Sequence, residues 1–175
     1  EIIETGGKAI KNVTGYNLTQ LLVGSEGTLA VITRAMLRLI PKPQFVRTAM
    51  AVYPRLDDAC RTVNSILVQG VIPATIELMD DTTIGTIEEY LHMGLPTDAG
   101  AILIIEADGG DESAVLREMD TIARVARECG ASEVRVAETE AQRTELWKGR
   151  RSVSPSLARR SPNKLGEDIS VPRSA

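Results

Sequence analysis

The chain has 175 residues, a formal net charge of −4, 43% hydrophobic and 25% charged residues, ordinary values for one folded domain plus a piece of a second. The mild acidity argues against a nucleic-acid backbone or an anionic membrane as the main partner, and an aromatic content of 3% weakens any case for a base-stacking platform. No apolar run of about 18 residues and no signal peptide is visible, and Cys60 and Cys129 have neither partners at metal-ligand spacing nor a disulfide framework, so a reduced, cytosolic setting is expected.

The chain opens on Glu1-Ile2-Ile3-Glu4, without an initiator Met, in what reads as the middle of a strand. Leu18 to Val23 is mostly apolar, and Gly24-Ser25-Glu26-Gly27 reads as a turn. Thr28 to Thr33 is short, apolar and β-branched, which predicts a buried strand, and Ala35 to Ile40 a second one. Pro41-Lys42-Pro43 stops that run and marks the best domain boundary, dividing the chain into 1–44 and 45–175.

The second block has a different rhythm. Phe45 to Tyr53 reads as a strand. Leu56, Ala59, Cys60, Val63, Ile66 and Leu67 recur at helical spacing, with Gly70 as a stop. Pro73 to Met79 reads as a strand, followed by a helix over 83–92 capped by Asp80 or Asp81. Ala101 to Ala107 is a strand, Asp111 to Cys129 a long helix closed by Gly130, and Glu133 to Ala137 a last strand. The order β-α-β-(α)-β-α-β matches the ferredoxin-like split βαβ unit, an α+β fold with a four-stranded antiparallel sheet and helices on one face. A simple parallel βαβ series is the alternative. No G-x-G-x-x-G opens a helix, so a Rossmann unit is not supported. Residues 139–160 read as helical with a break at Pro155. A loop then leads to Ile169-Ser170-Val171, and a new element is expected to start over 171–175. The two ends suggest an interior piece of a longer protein.

The stretch Lys11 to Thr33, KNVTGYNLTQLLVGSEGTLAVIT, carries the chemistry. Gly24 and Gly27 permit positive φ and close backbone approach around Ser25-Glu26, and backbone N–H groups in such a turn can bond phosphate or ribose oxygens. Thr28 to Ile32 can pack on a flat apolar ring. A glycine turn between two buried strands accounts for the same spacing, so residue types alone leave both open.

Taken whole, the stretch resembles the FAD-binding domain of vanillyl-alcohol oxidase type flavoproteins, in the branch of the glycolate oxidase FAD subunit, D-lactate dehydrogenase and D-2-hydroxyglutarate dehydrogenase. Lys11-Asn12, Thr14-Gly15-Tyr16, Leu18, Gly24 to Leu29, Val31 to Thr33, Leu37-Arg38-Leu39 and Pro41-Lys42-Pro43 follow the pattern of that branch. Asn17 stands where Asp is usual and Ala30 where Gly is usual. The resemblance implies FAD as cofactor, with Gly24, Glu26, Gly27, Val31 and Ile32, and Ser25 in the same turn, on the adenosine and pyrophosphate side. Lys11, Asn12, Thr14 and Gly15 would lie nearby.

Residues 45–175 resemble the substrate or cap domain of the same branch, with Leu146 to Arg151 and Gly166 to Pro172 fitting its later motifs. The resemblance implies that Arg150, in L-W-x-x-R, binds a substrate carboxylate, with Ser154 one turn on and Lys164 as a second cation. From composition alone the basic cluster is a solvated helix face. In the family the loop wrapping the pyrophosphate would precede Glu1, and a histidine motif supplying metal ligands and the base would follow Ala175. No catalytic residue and no metal ligand is therefore assigned here.

The implied parent oxidises a D-2-hydroxy acid to a 2-oxo acid and passes electrons to a quinone, cytochrome or electron-transfer flavoprotein. A homodimer or hetero-oligomer is expected, cytoplasmic or peripheral at the membrane through partner subunits. The chain alone would bind FAD weakly or not at all and be inactive. The alternative is a non-catalytic ferredoxin-like interaction or assembly module. Among single residues, His92 reads as a surface or capping histidine and Trp147 as core. Glu77, between Ile76 and Leu78, either pairs across the sheet or points to solvent, with no catalytic role.

Overall fold

The structure is a computed structural model that describes residues 1–172. The chain divides into two compact units, Glu1–Pro41 and the remainder from Lys42 onward. The element expected to begin over 171–175 lies largely outside the described residues.

In the first unit the regular element is a short helix, α1 (Leu18–Leu22), whose N-cap Asn17 accepts from the Gln20 amide. Asn and Asp are both strong N-caps, which explains why Asn17 serves where Asp is usual. Neither Thr28–Thr33 nor Ala35–Ile40 is a strand, and Glu1–Glu4 is not one either. These expectations fail for one physical reason. A strand must pair its backbone N–H and C=O groups with a neighbour, and an apolar run needs layers on both sides. The unit offers neither, so Val31 and Ile32 stay 83% and 58% exposed.

The second unit is built from β1 (Phe45–Tyr53), α2 (Leu56–Val68), β2 (Thr75–Asp80), α3 (Asp81–Leu91), β3 (Ala101–Gly109), α4 (Glu112–Glu128), β4 (Glu133–Val136), α5 (Glu140–Arg151) and α6 (Val153–Arg160). The strands form one sheet in the order β2-β3-β1-β4, every neighbour antiparallel. This is the ferredoxin-like arrangement, and the parallel alternative is excluded.

Strand alternation assigns the two faces. Ala49, Ala51 and Tyr53 of β1 with Leu103, Ile105 and Ala107 of β3 pack under α2 and α4, against Ile66, Met119, Ile122 and Val125. Met50, Val52, Ile102 and Ile104 face the other way. That face is covered as well, by Ile84 and Ile87 of α3 with Leu146, Trp147 and Val153 from α5 and α6. The sheet thus carries its two split-βαβ helices on one face, as expected, and a second helical layer that the expectation did not include. Both central strands are apolar on both faces because both are covered.

The caps follow the sequence. Asp80 caps α3 through the Thr83 amide, and Asp111 caps α4 through Ser113 and Ala114. His92 is the left-handed C-cap of α3, at φ 49°, the capping role expected of it. The break between α5 and α6 falls at Ser152, not at Pro155. Proline lacks an N–H and its ring excludes the carbonyl four residues back, so the turn before it must open. Pro155 itself sits in the first turn of α6, where no donor is missed.

Candidate functional site

Three residues of α5 set the site. Arg143, Trp147 and Arg150 recur at i, i+4 and i+7, one face of a helix. Thr139 and Gln142 fix the start of that helix by a reciprocal capping box. Its last turn carries Lys148, Arg150 and Arg151, cations placed where the helix dipole favours them.

That face meets two carboxylates on the α5 side of the sheet. In the strand register Glu106 lies opposite Thr48 on one side and Thr75 on the other, and Glu77 lies opposite Ile104. Glu106 accepts from Arg143 Nε at 3.0 Å and Nη2 at 3.3 Å, from Thr48 Oγ1 at 2.7 Å and from Trp147 Nε1 at 2.9 Å. Burial raises its pKa, but the hydrogen bonds from Arg143, Thr48 and Trp147 and the arginine charge outweigh that and hold the carboxyl below its usual range. Two turns along the helix, Arg150 Nε donates to Glu77 Oε2 at 2.8 Å. Between these pairs opens a cleft of about 460 Å³, lined by Thr75, Glu77, Glu106, Arg143, Trp147, Arg150 and Arg151.

The cleft can hold a small anion. Glu106 is saturated by its four donors. Among the described residues the terminal nitrogens of Arg150 make no hydrogen bond and Arg151 has no ion-pair partner. Three arginines and two glutamates line it, and Arg143 is also paired with the exposed Glu140.

Of the residues the sequence singled out, Arg150 lines this cleft and Glu77 pairs with it. Trp147 packs on the core as expected, and also donates to Glu106. Ser154 and Lys164 do not line the cleft. They are exposed and hydrogen-bonded to one another, Lys164 Nζ to Ser154 Oγ. Sequence reasoning missed Glu106 and Arg143. The signal for Glu106 was available, since a carboxylate in a doubly covered strand requires cationic or N–H partners.

In the first unit, Lys11, Asn12, Thr14 and Gly15 lie in irregular chain before α1, with Gly15 at φ 77°. Gly24, Glu26 and Gly27 all take positive φ, at 83°, 50° and 76°. Thr28 closes the turn onto the Ser25 carbonyl through its amide at 2.9 Å and its hydroxyl at 2.6 Å. A Cβ at Gly24 or Gly27 would meet nothing within 4 Å, so backbone conformation rather than space demands glycine there. Amides in such a turn and the exposed Val31 and Ile32 beyond it fit a phosphate and a flat ring. The chain therefore has donors of the right kind for a dinucleotide flavin. Among the described residues, no group of three or more His, Cys, Asp or Glu is arranged to hold a metal.

Comparison with known proteins decides the family. Residues 42–175 match the FAD linked oxidases, C-terminal domain. The chain belongs to this FAD-linked oxidase family. It is 45% identical over 174 residues to the glycolate oxidase subunit GlcD of Bacillus subtilis, covering 99% of this chain and 37% of that protein. It is 36% identical over 175 residues to the Escherichia coli K12 protein of the same name, covering all of this chain and 35% of that one. It is 31% identical over 153 residues to a D-lactate dehydrogenase of Anaerostipes hadrus, covering 84% and 32% of the two chains. The chain thus spans about a third of the length of these relatives. A solved alkyldihydroxyacetonephosphate synthase superposes with a TM-score of 0.60 at 21% identity, over 86% of this chain and 31% of that one, which speaks to fold. FAD is the cofactor of this family, and no helix among the described residues is long and apolar enough to cross a membrane.

Proposed function

We propose that this chain is part of a flavin-dependent dehydrogenase that oxidises a D-2-hydroxy acid, such as glycolate or D-lactate, to the 2-oxo acid. The observation that carries the proposal is Arg150, presented in an open cleft with its terminal nitrogens uncommitted. A guanidinium offers a planar pair of N–H donors that matches a carboxylate bidentately. Arg150 would hold the carboxylate of the acid, and Arg143 and Glu106 would keep the cleft wall rigid, while Ser154 and Lys164, bonded to one another outside the cleft lining, would reach the acid only on leaving that pair.

Residues 1–44 are read as the end of the FAD-binding domain and 45–175 as the substrate domain. Gly24 to Gly27 would cradle the pyrophosphate with backbone amides, Val31 and Ile32 would cover an apolar edge of the cofactor, and Lys11, Asn12, Thr14 and Gly15 would lie beside them. FAD, when bound, supplies the hydride acceptor. The chain's own residues bind and orient, and the proton acceptor would come from outside it. By itself the chain would retain little or no FAD and turn over nothing. The two GlcD relatives are named as subunits, which supports a multisubunit assembly. An electron-acceptor protein or quinone and a cytoplasmic or peripheral membrane location belong with that reading.

The test is the full-length flavoprotein assayed with glycolate, D-lactate and D-2-hydroxyglutarate against an artificial electron acceptor. Reduction by one of them is expected. A colourless protein, or a yellow one that none of the three reduces, overturns the proposal.

A further inference from the structure

Arg150 meets Glu77 in a particular way. The hydrogen bond runs from Nε to Oε2 at 2.8 Å, and among the described residues it is the sole hydrogen bond of that guanidinium. Glu77 and Thr75 are two apart on β2, so both face the cleft. We infer that Glu77 is a positioning residue for substrate: by accepting from Nε it fixes the guanidinium plane, so that the two terminal nitrogens face the cleft as a ready fork. This rests on the reading of Arg150 as the carboxylate holder.

Three observations support the role. First, arginine has five N–H donors in a rigid plane, and one anchored at Nε keeps its end-on pair available while losing rotational freedom. A fork fixed before binding need not be ordered by the ligand. Second, the other carboxylate of the cleft cannot compete for Arg150, because Glu106 is already filled by Arg143, Thr48 and Trp147. Third, the charge balance survives the pairing. With Arg143 set against Glu106 and Glu140 and Arg150 against Glu77, Arg151 is the cleft arginine without an ion-pair partner among the described residues, which leaves a cation for a monoanionic acid. As a stabilising ion pair the contact contributes little, since its two side chains are 39% and 32% exposed. Its removal should leave the fold intact.

The experiment compares Glu77→Ala, Arg150→Ala and the double variant in the full-length flavoprotein, with KM and kcat measured for the best of the three acids. Glu77→Ala removes the acceptor and is expected to raise KM about tenfold with kcat changed less than about twofold. Arg150→Ala should raise KM further, and adding Glu77→Ala to it should have no additional effect. Should Glu77→Ala leave KM unchanged while Arg150→Ala raises it, the positioning role is overturned and the carboxylate role stands. An equal effect of Glu77→Ala in both backgrounds, or a loss confined to kcat, also overturns positioning. An Arg150→Ala variant with unchanged KM removes the carboxylate role itself, and the inference with it.

Discussion

Glu106 is held by Arg143 at 3.0 Å and 3.3 Å through two guanidinium nitrogens, and its side chain is 14% exposed. The pair ties the middle of β3 to the first turns of α5, and Thr48 and Trp147 donate to the same carboxylate. Replacing Glu106 by Ala would remove the acceptor of four donor atoms on three residues, one of them the fully buried Thr48. Removing one partner of such a network costs about 3 kcal/mol. Urea unfolding of Glu106→Ala should show that loss, and a change below about 0.5 kcal/mol would mean the cluster is decorative.

The same carboxylate predicts a pH dependence. Its pKa is lowered in the folded state. A depressed carboxyl contributes stability that is fully present above the unfolded value, about 4.3 for glutamate, and is lost as pH falls through the folded value. Glu88, bonded by the amides of Leu95, Gly94 and Met93, and Asp111, bonded by Ser113 and Ala114, act in the same direction. Wild type should therefore lose stability steadily below the glutamate range. Glu106→Gln should be weaker at neutral pH and lose less on acidification. Parallel curves of unfolding midpoint against pH for the two proteins would contradict the assignment.

Trp147 is the only tryptophan, and it both packs against the second core and donates Nε1 to Glu106. Trp147→Phe keeps most of the apolar contact and removes the donor. A cost of about 1 kcal/mol is expected for that hydrogen bond. Combined with Glu106→Ala, the second substitution should cost less than it does alone, because the acceptor is already gone. Additive effects in a double-mutant cycle would place the tryptophan's contribution in packing only.

The sequence made the ferredoxin-like core legible because its signals are local. Leu56 to Gln69 and Asp111 to Cys129 repeat apolar residues at helical spacing, and Asp80 or Asp81 announces the cap of α3. The second face was harder. Unbroken apolar runs such as AILIIEA say that a strand is covered twice, but not by what, since the covering helices α3, α5 and α6 come from before and after it in the chain. Glu106 was passed over for the same reason: its partners Arg143 and Thr48 are 37 and 58 residues away. In residues 1–41 the apolar pattern suggested strands, and pattern alone cannot supply the neighbour that a strand requires.

Gly100 precedes β3 and approaches the turn after β1 closely, its amide donating to the Tyr53 carbonyl at 2.9 Å. A Cβ there would sit 2.5 Å from the Pro54 oxygen and 3.0 Å from the Arg55 Cα. Both are backbone atoms and cannot swing away. Gly100→Ala should therefore cost roughly 2–3 kcal/mol, the range for forced overpacking, seen as a lower thermal midpoint with secondary structure retained. An unchanged midpoint would mean that the turn yields freely.

Gly27 poses the opposite case, and it tests the flavin assignment of the first unit. Its φ of 76° lies in the left-handed region, and a Cβ would meet nothing within 4 Å. The penalty for Gly27→Ala is then purely conformational, about 1 kcal/mol, and it acts on the turn whose amides are proposed to bind the pyrophosphate. Gly7 has equally open space without a positive φ, so Gly7→Ala is the matched control. In the full-length protein Gly27→Ala should lose FAD on gel filtration, read from the ratio of visible to ultraviolet absorbance, while Gly7→Ala keeps it. Equal retention by both variants would detach the turn from the cofactor.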